Sequence, residues 1–486
     1  MHDALRHLGR RRINHTDGSA ATDADACCGK AIISNVAATV REHSLTAENP
    51  PQTRRAPFPV RNIPFFYGWV ILGITFFCNT VTAGIDGYAI SFFVVPMSED
   101  LGVSRAEFSA ISLFRLIAIP AVPVIGLLLD MRGGPRLVVT VASIVAGLAL
   151  IASSLTQEVW QFYLAFGVVF GIVSVTLSWQ LLGAAILAKW FVRMRGRVFA
   201  ISTIGISTGG FVIAPIAGLL IDSIGWRGAW LILGIGILVT LTPFAAMFMR
   251  RQPSDVSLQP DGISESEATG NAEAVQGDVA TQDERAYEYP WRVREAIRTV
   301  AFWAVLAGQA LGQAALFGVL FHQVAYMQDK GLSVTDATIV AAVLAGFAIP
   351  SKVIYGFLAE RYTPQWVMAA VMIPAGASLM LLVVGADRNI LIVYAILYGL
   401  TMGGFTPVIN VVHAHFFGRE HMGAIRGASS PVASVAGSVS PFIVAWAWQW
   451  YGNYDVSFIA MGVVWAIGGL LVLAVRRPRA PVAVAS

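Results

Sequence analysis

Twelve apolar runs dominate this chain, each long enough to cross a bilayer core of about 30 Å, which takes about 20 helical residues. They are Tyr67 to Pro96, Phe108 to Leu129, Leu137 to Leu155, Trp160 to Lys189, Val198 to Asp222 and Ala229 to Met249. The other six are Thr299 to Gln328, Thr335 to Leu358, Trp366 to Gly385, Ile390 to Phe417, Ile425 to Trp450 and Tyr454 to Val475. Lipid offers a backbone no hydrogen bonds, so such a run is stable only when its N–H and C=O groups pair within it, as in a helix. The expected fold is an all-α membrane protein with 12 transmembrane helices. Composition agrees, since 56% of the 486 residues are apolar and only 13% charged, against about 25% charged in soluble domains.

The polar stretches divide the chain. Residues 1–61 lack apolar periodicity and read as a disordered tail. A first six-helix bundle is expected over 62–250, a linker rich in Ser, Glu and Gln over 251–298, a second six-helix bundle over 299–477 and a short tail over 478–486. Arg132, Arg136, Lys189, Arg193, Arg250, Arg361, Arg419 and Arg476 fall on one side of such an arrangement, while the other side holds Arg105, Arg227, Lys330 and Arg388. The positive-inside rule places the first group in the cytoplasm, and with it the linker and both termini, in a plasma or bacterial inner membrane. The basic residues form no patch that would suit a nucleic acid. Cys27, Cys28 and Cys78 match neither a disulfide framework nor a metal-ligand spacing, and with no catalytic motif present neither enzyme chemistry nor a cofactor or metal is expected.

The two halves resemble each other. AIPAVPVIGLLLD, Ala118 to Asp130, aligns with AIPSKVIYGFLAE, Ala348 to Glu360, so that Pro120 matches Pro350, Gly126 matches Gly356 and Asp130 matches Glu360. KWFVRMRG, ending the fourth run, likewise resembles HFFGREHMG, ending the tenth. Two pseudo-symmetric bundles from an internal duplication mark a transporter whose site lies at the repeat interface near midplane.

Lys352 is the side chain that this arrangement must explain. It lies eight residues before Glu360, about 12 Å inside the membrane at 1.5 Å per residue. A charge at that depth costs from about 3 to more than 10 kcal/mol unless it meets a partner, a substrate or water. Lys352 therefore either contacts an anionic substrate or locks helices by bonding polar groups of the facing half. Arg115 is a second intramembrane cation, placed by the repeat toward the same cavity, with Asp86 at similar depth as its partner, either as a proton carrier or as a permanent bridge. His322, at the end of the seventh run, can titrate near neutral pH or stand as an interfacial amphipathic side chain. Asn79, Gln309, Gln313 and Asn410 can bond a substrate or tie helices together.

These features resemble the major facilitator superfamily across nearly all of Tyr67 to Arg477. Gly126, Asp130, Gly133, Gly134 and Arg136 look like its loop signature between the second and third spans, with Glu360 and Arg361 as the repeat counterpart. Met131 departs from it, standing where the family usually has a basic residue. Within the superfamily the chain is similar to the monocarboxylate transporter branch and its bacterial relatives, which include oxalate and formate exchangers. The resemblance rests on Tyr67, Gly68 and Trp69, on Phe92, Phe93 and Pro96, on Ser104 and Arg105, on Trp190, Phe191, Arg195 and Gly196, on Gly225, Trp226 and Arg227, and on FHQVAYMQDKGLS from Phe321 to Ser333. It implies the major facilitator fold, close helix packing at Gly126, and a carboxylate contact at Lys352, where the branch carries an arginine. The first-span lysine of that branch is replaced by Gly87, and the acid one turn before the eighth-span cation by Ala348.

The resulting expectation is secondary active transport of a small organic monocarboxylate by alternating access with proton symport. Its partners are the carboxylate, protons and the lipid bilayer. An organic anion exchanger or exporter is the alternative within transport, and a non-transporting nutrient receptor on a transporter scaffold is the alternative outside it.

Overall fold

A computed structural model describes residues 65–478 apart from 132, 192–193, 257, 263–290, 386 and 419–420. The expected tails, except residue 478, and the middle of the expected linker lie outside the described residues. Every regular element among the described residues is helical.

Among the described residues ten stretches are long and apolar enough to cross a membrane. One of them, Arg197–Phe248, runs for 52 residues, more than twice what a bilayer needs, and is broken at Gly225, whose φ of 77° and ψ of 168° no helix accommodates. Residues 195–224 and 226–248 are therefore the fifth and sixth spans. The second span, 105–130, is not among the ten because it is helical only in pieces: Arg105–Ser109, Ile111–Phe114, a 3-10 turn at Arg115–Ala118, and Ala121–Asp130. Pro120 and Pro123 are one cause, since each lacks the N–H that would bond one turn back. Dividing the long stretch and adding the broken one is consistent with twelve spans.

The first span is Gly68–Leu101, the third Gly134–Ser154 and the fourth Val159–Trp190. The seventh is Val300–Asp329, the eighth Val334–Arg361, the ninth Pro364–Val384, the tenth Arg388–Phe417, the eleventh Met422–Tyr451 and the twelfth Asp455–Ala474. Below, the near end is where residue 65 enters and residue 478 leaves, and the far end carries Arg105 and Asp329. At the far end Gly102 stops the first span in the left-handed region, with φ 63°. Two residues on, Ser104 and Glu107 start the second span with a reciprocal capping box.

The first six spans pack on one another, the fifth against the first and the sixth against the third. In the second six, the seventh packs on the eleventh and twelfth, the eighth on the tenth, and the ninth on the tenth and twelfth. These two groups meet along three seams, fifth on eighth, first on seventh and second on eleventh, and share one compact unit within Ala56–Ser486. The fifth span fits its seam because it has no side chain where the neighbours press closest. A Cβ on Gly209 would lie 2.2 Å from the Thr80 carbonyl oxygen, and one on Gly210 would lie 2.8 Å from the Ala345 Cβ.

The seams are uneven. The second span meets the eleventh through Arg105–Ser109, Ile111–Phe114 and Arg115–Ala118, while Ala121–Asp130 makes no comparable contact. Gly126 has no atom within 4 Å of the position a Cβ would take, and the same holds for Gly356 and for Gly427 on the eleventh span. The close packing expected at Gly126 is thus absent here, because the near-end half of the second span stands away from the eleventh. The two groups are fastened at the far end and part toward the near end.

Candidate functional site

Lys352 is buried, with 8% exposure. Its Nζ donates to the carbonyl oxygen of Thr203 at 2.8 Å and to Oγ of Ser207 at 2.7 Å. Both acceptors belong to the fifth span, so the ammonium crosses from one group of six to the other. Among the described residues no carboxylate forms an ion pair with it. The hydroxyl of Tyr88 on the first span is a neighbour of Ser207. In this conformation the lysine ties the facing halves through neutral acceptors, and its charge stays uncancelled.

Arg115 and Asp86 do meet. Nη2 of Arg115 lies 2.5 Å from Oδ1 of Asp86 and donates to the Asp86 main-chain oxygen at 2.8 Å. The side chains are 15% and 19% exposed. Each partner sits in an irregular turn. Asp86 is in the π-helical turn Gly84–Ala89, and Arg115 opens the 3-10 turn Arg115–Ala118. One turn is wider and the other tighter than an α-helix, and both kinds recur at functional sites because they shift carbonyls and side chains out of the regular helical ladder. Beside the pair, a Cβ on Gly87 would meet nothing within 4 Å.

His322 is fully buried instead of interfacial. Its Nε2 lies 2.9 Å from the Pro441 carbonyl oxygen and 3.5 Å from Oγ of Ser109, and its Nδ1 lies 3.3 Å from the Tyr454 hydroxyl. A carbonyl only accepts, so this network assigns the proton to Nε2 and leaves Nδ1 to accept from Tyr454. The reason for the burial is next door. Arg105 reaches across the far end and grips Asp329 through two bonds of 2.5 and 2.7 Å, with its guanidinium 4.4 Å from the centre of the Trp448 ring and 3.3 Å from the Tyr454 hydroxyl. These contacts join the second span to the seventh, eleventh and twelfth and close the protein over His322.

The other sequence-derived candidates are distributed differently. Asn79 donates to the carbonyl oxygen and Oγ of Ser202, both at 3.0 Å, which ties the first span to the fifth. Oε1 of Gln309 and Oδ1 of Asn410 are buried and find no hydrogen-bond partner among the described residues. Gln313 borders the eleventh span, its Cβ 3.6 Å from where Gly437 would carry one. In the loop motif Gly133 adopts φ 78°. Nε of Arg136 donates to the Ala246 carbonyl oxygen at 2.5 Å, a terminal group of the sixth helix that a cation suits. Arg361 sits over Phe357 at 5.7 Å. Asp130 and Glu360 lie in the last helical turns of their spans, and their side chains lie outside the described residues.

Four contributors were not singled out as site residues in the sequence: Thr203, Ser207, Tyr88 and Asp329. A signal existed for Ser207, whose hydroxyl stands out on the apolar fifth span, ISTIGIST from Ile201 to Thr208, but not for Thr203, which contributes only its main-chain carbonyl. Nothing local marks that serine as lying opposite Lys352.

A helical membrane protein of two six-span groups, meeting around a buried charge and clamped at the far end, has the architecture of a transporter. The chain belongs to the Major Facilitator Superfamily, whose profile matches residues 75–441 and 323–486. It is 24% identical to human monocarboxylate transporter 11 over 443 residues, 88% of this chain and 87% of that protein. It is also 24% identical to rat monocarboxylate transporter 13 over 417 residues, 84% of this chain and 88% of the relative. Among solved structures it matches a bacterial homologue of the human lysosomal transporter Spinster, in an inward-facing and unoccupied conformation, with a TM-score of 0.58 and 17% identity over 85% of this chain and 94% of that one. That likeness supports the fold.

Proposed function

We propose that this protein is a secondary active transporter that moves a small organic monocarboxylate together with a proton across a cell membrane by alternating access, with both termini cytoplasmic. The bundles at 62–250 and 299–477 rock against each other and the linker 251–298 joins them. The observation that carries this reading is Lys352, a buried ammonium that bridges the two groups and is paired with no carboxylate among the described residues. Asp86 and Arg115 cancel each other, so one carboxylate neutralises the centre and removes the cost of an uncompensated charge. The relatives' name, monocarboxylate transporter, supports the same class.

In the proposed cycle the anion takes Lys352, with Arg115 assisting. Gln309, Gln313 and Asn410 contact the rest of the molecule. As Arg115 turns to the substrate, Asp86 takes up the proton, because an isolated carboxylate in a dry site holds one more readily. His322 is the second candidate for the proton once the far end opens and water reaches it. The near end, open here, corresponds to the cytoplasmic side. Exchange without net flux is a second reading, favoured by the lone charge, since an empty carrier would reorient with Lys352 uncompensated.

The test is the internal pH of proteoliposomes as acetate, pyruvate, lactate and benzoate are added outside. Acidification that depends on the carboxylate and is lost in Lys352→Ala is expected. Labelled acid exchanging without a pH change would establish the exchanger instead, and neither signal would remove the carboxylate assignment.

A further inference from the structure

We infer that Ser207, backed by Tyr88, is the resting acceptor that holds the Lys352 ammonium in the empty carrier, and that a substrate carboxylate must displace it to bind. This rests on Lys352 being the carboxylate anchor, and it concerns a residue that does not itself touch the substrate. An ammonium has three donors and no acceptor. Two are used here, on the Thr203 carbonyl at 2.8 Å and on Oγ of Ser207 at 2.7 Å. Because Oγ accepts from Lys352, the Ser207 O–H is left to donate, and the Tyr88 hydroxyl is the neighbour placed to receive it. Donation from Ser207 to Tyr88 would polarise the serine hydroxyl and strengthen its bond to Lys352.

Both acceptors are neutral, so an anion offers the ammonium an opposite charge as well as a hydrogen bond. The third donor is available for its first contact. The resting site also sits across a moving seam, with Ser207 and Thr203 on the fifth span and Lys352 on the eighth. Drawing the ammonium away from Ser207 therefore loosens the fifth-to-eighth seam in the same step that anchors the substrate. Ser207 further lets the empty carrier return, since it stabilises the charge when no anion is present.

A positioning role of this kind has a sign opposite to that of a ligand. Removing a substrate ligand weakens binding, whereas removing a competitor for Lys352 tightens it. The experiment uses whichever acid of the proteoliposome panel gives the largest signal that depends on Lys352, and measures its equilibrium binding, its net uptake and its exchange. Ser207→Ala is expected to lower the dissociation constant about fivefold, the equivalent of one ordinary hydrogen bond. Net uptake should slow by a similar factor while exchange persists, and Ser207→Thr should keep wild-type values. Tyr88→Phe should shift binding in the same direction by less, and it decides the matter if Ser207→Ala does not fold. Weaker binding in Ser207→Ala, or no change in binding and uptake, overturns the inference even where Lys352→Ala abolishes binding. If Lys352→Ala leaves binding intact, the anchor reading fails first.

Discussion

At Asp86 and Arg115 the question is what the pair does when it separates. Removing one member of a mostly buried pair leaves the other without compensation, at a cost of about 3 to 5 kcal/mol, while replacing both by neutral groups costs less. Arg115→Met alone should therefore lower the unfolding midpoint in detergent more than the double variant Asp86→Asn with Arg115→Met. If the two unfold alike, Asp86 left without Arg115 carries no penalty, as it would when protonated. The proton assignment is tested separately. Asp86→Asn should keep carboxylate exchange and lose accumulation driven by a pH gradient, and accumulation at wild-type level would transfer the proton to His322 or elsewhere. The existence of Lys352, Arg115 and Asp86 as buried charges was legible in the sequence, because a charge inside an apolar run is conspicuous. Their acceptors were not, because Thr203 and Ser207 are ordinary helix residues until the fifth span is laid against the eighth.

Among the spans, glycine separates two kinds of seam. On the fifth span Gly209 admits no Cβ without displacing the first span, since the Thr80 oxygen is 2.2 Å away. Gly209→Ala should cost about 1 to 3 kcal/mol by overpacking, measured as a fall in thermal midpoint. On the second span Gly126 faces open space in this conformation. Gly126→Leu should leave that midpoint almost unchanged and slow transport about tenfold or more, through a penalty of roughly 1 to 3 kcal/mol that falls on the conformation in which the near ends close. A mutant that transports normally would mean that this face never meets the eleventh span. The sequence shows both glycines alike and does not say which seam is closed. It also hides the broken second span and the π-helical turn around Asp86, since the register of a helix is settled by its neighbours as much as by its own residues.

For the whole molecule, the distribution of contacts defines the state. Arg105 holds Asp329, Trp448 and Tyr454 at the far end, and among the described residues nothing comparable joins Ala121–Asp130 of the second span to the eleventh at the near end. Removing the Arg105 clamp should release the far end and let the near end close. Spin labels on the second and eleventh spans should show the far-end distance lengthening and the near-end distance shortening in Arg105→Ala. The exchanged pair Arg105→Asp with Asp329→Arg should return part of the way. Unchanged distances would mean that the fifth-to-eighth and first-to-seventh seams hold this state without the clamp. What the sequence by itself determined was the class: apolar runs long enough for a bilayer, an internal repeat and a few misplaced charges leave helices in two related groups as the only economical solution, since lipid forbids any unpaired backbone. What only the tertiary structure decided was which polar groups meet. Lys352 finds Ser207 across 145 residues of chain, and Arg105 finds Asp329 across 224. Contacts of that kind depend on how whole helices lie against one another, and local spacing carries no record of it.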